Sequence, residues 1–307
     1  MLNRYTTNMT QAPTPANWLS IFALGLIWGG TFMVVSIALE GYGPLTVACA
    51  RTTLGAIALS ALVFALGRPL PDLGVIKHLI FIGALNTALP FTLLAWGQQY
   101  VPSAFAGISM AALPLIVLPL AHFFSDEPLS ARRFAGVAVG FAGAIVLIGP
   151  AALKIGEGMA PLGQIACLAA TVSYAVSSIL TRRCPPIDPI TMAASTLIVG
   201  SIILIPPTLA IEGLPGWAGL RPGLAILVLG FLPTALANLL RVIVIRSAGS
   251  VFMTLVNYQV PLWSVLFGAF VLREDLPFRF FAALALIMCG LAVSQWRKPI
   301  RIFGTRA

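Results

Sequence analysis

Ten apolar stretches, each about as long as a bilayer is thick, dominate this chain of 307 residues. They run at about 18–39, 44–66, 77–98, 102–124, 130–149, 161–181, 188–211, 222–246, 250–272 and 277–296. A hydrocarbon core of about 30 Å takes roughly 20 residues of α-helix, so each stretch is long enough to cross it. Strands are excluded as the main element, because a lipid-facing barrel needs alternating apolar and polar residues, which these runs lack. A soluble domain covers itself with about a quarter charged residues, whereas this chain has 9% charged and 59% hydrophobic residues. Its outer surface must therefore face lipid. An all-α membrane protein of ten transmembrane helices is expected.

The polar start MLNRYTTNMTQAPTPAN has no small-residue cleavage site after the first run, which makes that run a spanning helix rather than a signal peptide. The net charge of +9 sits mainly in short gaps between runs, so it reads as orientation signal and not as a nucleic-acid surface. With the N-terminus cytoplasmic, that side holds Arg4, Arg68, Lys77, Arg132, Arg133, Arg182, Arg183, Arg246, Arg297, Lys298, Arg301 and Arg306. The other side holds only Lys154, Arg221, Arg273 and Arg279. Twelve against four predicts both termini in the cytoplasm. The four cysteines (Cys49, Cys167, Cys184, Cys289) form no CxxC pair, and small packing residues are the expectation. His78 and His122 have no second ligand at metal spacing, so no metal and no cofactor is expected.

An internal repeat emerges at an offset of 147. Gly83 pairs with Gly230, Thr87 with Thr234, Ser103 with Ser250, Phe105 with Phe252, Pro114 with Pro261, Glu127 with Glu274, Leu129 with Leu276, Phe134 with Phe281 and Gly143 with Gly290. Apolar matches are cheap in such a composition, but a shared proline and a shared glutamate without gaps are not. Residues 17–149 and 161–296 thus read as two copies of one five-helix unit. An odd number of helices makes the second copy enter the membrane in the opposite sense. Inverted repeats of this kind build transporters whose substrate site lies near the midplane, where the repeats meet.

The stretch VNYQVPLW then becomes informative. Pro261 has no N–H, so the carbonyl of Asn257 is expected to lose its helical partner, as Pro114 does to Met110. Orphan carbonyls at membrane depth survive where protein or a water-filled cavity receives them. Asn257, Tyr258 and Gln259 add hydrogen-bonding groups there, although successive residues point about 100° apart and cannot all face one cavity. Interhelical bonding is the alternative for each. Asn86 and Asn238 lie on the third and eighth runs, which Pro90 and Pro233 interrupt. Trp28, beside Gly29 and Gly30, and Tyr174 are either helix-packing residues or flat faces for a substrate. Arg51, seven residues past Pro44, stands about 10 Å inside the second helix. It either snorkels outward to pair with Glu40 or anchors an anion. Arg241 is expected to snorkel. All nine acidic residues fall in loops or at helix ends, so any proton coupling has to use a peripheral group or the substrate itself.

WGGTF in the first helix, the Pro44–Arg51 spacing, and PSAFAGISMAALPL…SDEPLSARRFAGVAVGFAGAIVLIG resemble the EamA family of the drug/metabolite transporter superfamily. GSVFMTLVNYQVPLWSVLFGAFVLREDLPFRFFAALALIMCGLAV resembles the same unit again, so the resemblance runs from about residue 18 to 296. It implies a ten-helix inverted-repeat carrier of the inner membrane working by alternating access, often an exporter of amino acids or other small metabolites. It also implies that Glu127 and Glu274 hold the turns between helices 4 and 5 and between 9 and 10. The expected partners are a small-molecule substrate and lipid, with either a coupling ion of unknown identity or uncoupled transport left open. A membrane enzyme would need a nucleophile with its base or a metal cluster at one depth, and the runs offer neither. A non-transporting scaffold or sensor is the remaining alternative.

Overall fold

The computed structural model describes residues 14–124, 131–149, 158–248, 250–253 and 255–295. Glu127 and both chain ends lie outside the described residues. Among those residues the chain is helical throughout, with no β-strand. The helices are α1 (Pro15–Ala38), α2 (Pro44–Ala65), α3 (Ile76–Gly83), α4 (Leu89–Gly97), α5 (Ser103–Ala111), α6 (Leu113–Phe124) and α7 (Ala131–Ile148). There follow α8 (Ala160–Arg183), α9 (Pro189–Ile211), α10 (Leu220–Leu229), α11 (Ala237–Ala248), α12 (Ser250–Met253), α13 (Val256–Phe270) and α14 (Phe278–Gln295).

Several of these are pieces of one rod. A π-helical segment, Ala84–Ala88, joins α3 to α4, and another, Gly230–Leu236, joins α10 to α11. Seven rods are long and apolar enough to cross a membrane: Pro15–Ala38, Pro44–Ala65, Leu73–Gly97, Ser103–Leu120, Ala160–Arg183, Pro189–Ile211 and Leu220–Arg241. Phe134–Ile148 and Phe278–Ser294 are shorter apolar helices. Large apolar side chains such as Phe64, Phe81, Ile145, Ile202 and Phe270 stand exposed on the outside. A soluble fold would bury them; here they face lipid.

Local chemistry starts and stops the rods. Proline at the first turn begins α1, α2, α8 and α9, where its missing N–H costs nothing. Asp188 caps α9 by accepting from the N–H groups of Ile190 (3.0 Å) and Thr191 (3.1 Å). Two glutamates do the same over long range. The Glu212 carboxylate takes the N–H groups of Leu45 (2.9 Å) and Thr46 (2.8 Å) at the start of α2. Glu274 takes those of Ser103 (2.6 Å) and Ala104 (3.2 Å) at the start of α5. This corrects the reading that Glu274 holds its own adjoining turn. The first turn of any helix offers unpaired donors and a positive dipole end, and the one within reach is α5, brought there by tertiary packing.

Packing fixes direction. Thr208 Oγ1 donates to Leu45 O (3.4 Å) at one end of the α2–α9 contact, and Thr191 Oγ1 donates to Pro69 O (2.9 Å) at the other. Numbers rise on one chain segment as they fall on its neighbour, so α2 and α9 are antiparallel. The same holds for α7 and α14, where Gly136 meets Ser294, Gly143 meets Ile287, and Gly149 meets Arg279. Their backbones approach closely: an added Cβ on Gly136 would sit 2.5 Å from Gly290 O. Small residues allow such contacts in lipid, where dispersion and not hydrophobicity drives helix association.

Candidate functional site

The candidate site centres on the two π-helical segments. Shifting Ala84–Ala88 by 147 gives 231–235, inside Gly230–Leu236. A π turn inserts one extra residue, widens the helix and leaves carbonyls badly placed for the ordinary ladder. Side chains from other helices meet those carbonyls. Ser173 Oγ on α8 donates to Leu85 O (2.8 Å), and Trp28 Nε1 on α1 donates to Pro233 O (3.3 Å). Ser177 Oγ, one turn beyond Ser173, bonds Asn86 Oδ1 (3.3 Å). Thr234 Oγ1 donates five residues back to Leu229 O (2.7 Å), and Asn238 Nδ2 donates to Thr234 O.

Arg51 reaches this centre from α2. It is only 6% exposed, so it does not snorkel to the surface. Its Nη2 lies 3.5 Å from Thr234 Oγ1, and its guanidinium carbon lies 4.0 Å from the centre of the Phe91 ring on α4. Tyr174 on α8 is within electrostatic reach. Glu40, the partner anticipated for Arg51, is 3.1 Å from Arg221 instead. The reason is direction: residue 51 of α2 faces inward, whereas Glu40 follows the end of α1 among exposed groups.

The remaining predicted residues divide. Met110 is half-buried beside Thr171, whose Oγ1 lies 4.0 Å from its sulfur. With Leu93, Tyr174 and Val260 it packs on the core cluster around Phe105 and Ile108. Asn257, Tyr258 and Gln259 are half-buried on α13. Gln259 lies on α1: an added Cβ at Gly25 would be 2.7 Å from its Oε1. Gly29 and Gly30 do form a small-residue groove, filled by Trp263 and Phe267 of α13, while Trp28 turns the other way to Pro233. Arg241 is exposed.

The four prolines also behave differently. Pro114 begins α6 directly after the turn at Ala112. Pro90 opens α4 after the first π segment, and Pro233 lies inside the second. Pro261, expected to break its helix, sits within the continuous α13, which begins after a turn at Leu255. Proline deletes one backbone bond, and a helix carries on past it with a bend when its neighbours hold it. Sequence reasoning missed Phe91, Ser173 and Ser177. The serines had a signal, their four-residue spacing around Tyr174 on one helix face; Phe91 had none.

A family model described as the EamA-like transporter family matches residues 17–149 and again 161–295. The chain belongs to the EamA-like transporter family. It is a multi-pass membrane transporter of the drug/metabolite type, not an enzyme. It is 29% identical to the inner membrane transporter YedA of Escherichia coli K12, over 81% of this chain and 80% of that one. It is 25% identical to protein PecM of Dickeya dadantii, over 91% of both. A "Probable terminal-alkyne amino-acid exporter" of Streptantibioticus cattleyicolor is 28% identical over 43% of this chain and 44% of its own. One solved crystal structure, 22% identical, superposes with a TM-score of 0.65 over 91% of this chain and 97% of its own, a likeness of fold.

Proposed function

We propose that the protein is a secondary carrier of the inner membrane that exports a small amphipathic metabolite, an amino acid or a similar solute, by alternating access. Ten spanning helices form two inverted five-helix repeats, residues 17–149 and 161–296, with both termini cytoplasmic. The observation that carries this reading is the antiparallel packing of counterparts: α2 lies against α9, and α7 against α14. Parallel repeats would not bring equivalent helices together in opposite senses. The names of YedA and of the amino-acid exporter support an inner-membrane location and an exported amino-acid-like cargo.

The cargo sits between the two wide turns. Trp28, Asn86, Met110, Tyr174 and Asn238 line its site, with Asn257 and Tyr258 at the edge, and Gln259 ties α13 to α1. Rocking of one repeat against the other exchanges access. Counterflow in proteoliposomes is the test, with amino acids, aryl acids, sugars and nucleosides as cargo. Saturable exchange of at least one class is expected, and exchange of none would overturn the carrier reading. Orientation is tested separately at Cys184, a cysteine outside the helices, whose thiol burial pushes up. A membrane-impermeant maleimide, used above neutral pH to supply thiolate, is expected to leave it unlabelled in intact cells and to label it in inverted vesicles.

A further inference from the structure

Among the described residues, the Arg51 guanidinium is a buried cation with no carboxylate partner. It is 6% exposed, its Nε has no hydrogen-bond partner, and its Nη2 donates to a neutral hydroxyl, Thr234 Oγ1, at 3.5 Å. A buried cation normally carries an anion with it, because desolvation is otherwise uncompensated. The described carboxylates are all placed elsewhere. Glu40 is on Arg221 and Asp188 on Arg68. Glu212 and Glu274 cap α2 and α5. Asp72 and Asp275 are exposed.

We infer that Arg51 anchors the carboxylate of an amphipathic monoanion, whose apolar body lies against Phe91, Tyr174 and Met110. This rests on the carrier reading and specifies its cargo. Guanidinium presents a planar fork of donors that matches a carboxylate. One fixed positive charge balances one negative charge, so a phosphate dianion would leave half its charge uncovered. No described carboxylate stands beside Arg51 to receive an ammonium group, which favours a simple acid over a zwitterion. The repeat offers no second cation either, since the counterpart of Arg51 at the 147 offset is Ile198, exposed on the outside. A monoanion leaving a cell whose interior is negative moves with the potential. One charge gains roughly fifty-fold in gradient per 100 mV, so export would need no buried proton-coupling acid.

The test uses the purified full-length chain and four probes sharing one phenylpropyl body: 3-phenylpropionate, its primary amide, 3-phenylpropylamine and phenylalanine. Thermal stabilisation is read for the wild-type chain and for Arg51→Met and Arg51→Lys. Dose-dependent protection by 3-phenylpropionate is expected, at least ten-fold tighter than by the amide or amine and tighter than by phenylalanine. Arg51→Met is expected to abolish it, and Arg51→Lys to weaken it about ten-fold. The acid–amide comparison on the wild-type chain decides the question if Arg51→Met fails to fold. Equal protection by acid and amide, protection unchanged in a folded Arg51→Met, preference for phenylalanine, or no protection by any probe would each overturn the anchor. Those results leave the carrier reading to the counterflow assay, where a neutral cargo exchanged at full rate would retain it without the anchor.

Discussion

The two wide turns occupy equivalent places and do different work. The turn at Ala84–Ala88 is closed by hydroxyls: Ser173 and Ser177 bond Leu85 O and Asn86, and Thr87 bonds Gly83 O and Thr196 O. The turn at Gly230–Leu236 instead meets an indole at Pro233 O and a guanidinium at Thr234. The first is a neutral, self-satisfied seam, and the second has a cation beside it with spare donors. On the proposed function, a cargo held between the turns would therefore meet a charged end and a neutral end.

The largest effect expected from disturbing this contrast is at Arg51. Arg51→Met should lower exchange of an acidic cargo at least a hundred-fold, from loss of a charged hydrogen bond worth about 3 kcal/mol, while Ile198→Leu at the counterpart position should change nothing. Initial counterflow rates at sub-saturating cargo check both. Second come the distant caps. Glu212→Ala or Glu274→Ala should each cost about 1–3 kcal/mol, since two backbone donors lose a charged acceptor, read as a lower Tm of the purified protein. Third, Thr234→Val should weaken cargo binding about five-fold, whereas Thr87→Val should lower Tm without changing affinity, each hydroxyl contributing about 1 kcal/mol. Equal effects at both threonines would remove the contrast between the turns. The smallest effect is at the exposed pair: Glu40→Gln should shift stability by less than about 0.5 kcal/mol and leave exchange unchanged. A large loss there would revive a link between Glu40 and Arg51.

Two rods were legible in bounds because a proline marked their starts. The runs expected at about 44–66 and 188–211 appear as Pro44–Ala65 and Pro189–Ile211. The expected offset of 147 carries the first wide turn onto the second. The turns themselves were not legible, because one inserted backbone residue leaves no mark in an apolar run. Pro233 flagged its turn from inside, but Pro90 only follows the other. Side-chain direction was equally hidden. Spacing along α1 and α2 put Glu40 near Arg51, but the inward rotation of α2 sends the guanidinium to Thr234. Glu274 was noticed as a repeated acid, yet its partner at Ser103 is 171 residues away in sequence and depends on how α13 and α5 pack.

A cysteine tie between the two halves tests the central claim most directly. In a chain otherwise free of cysteine, Asn86→Cys with Ser177→Cys replaces a 3.3 Å contact that joins the first wide turn to α8. Oxidative cross-linking should arrest counterflow, and reduction should restore it, because in the proposed alternating-access cycle the halves part there for cargo to pass. Undiminished exchange by fully cross-linked protein would show that cargo does not pass by the halves parting between the first wide turn and α8.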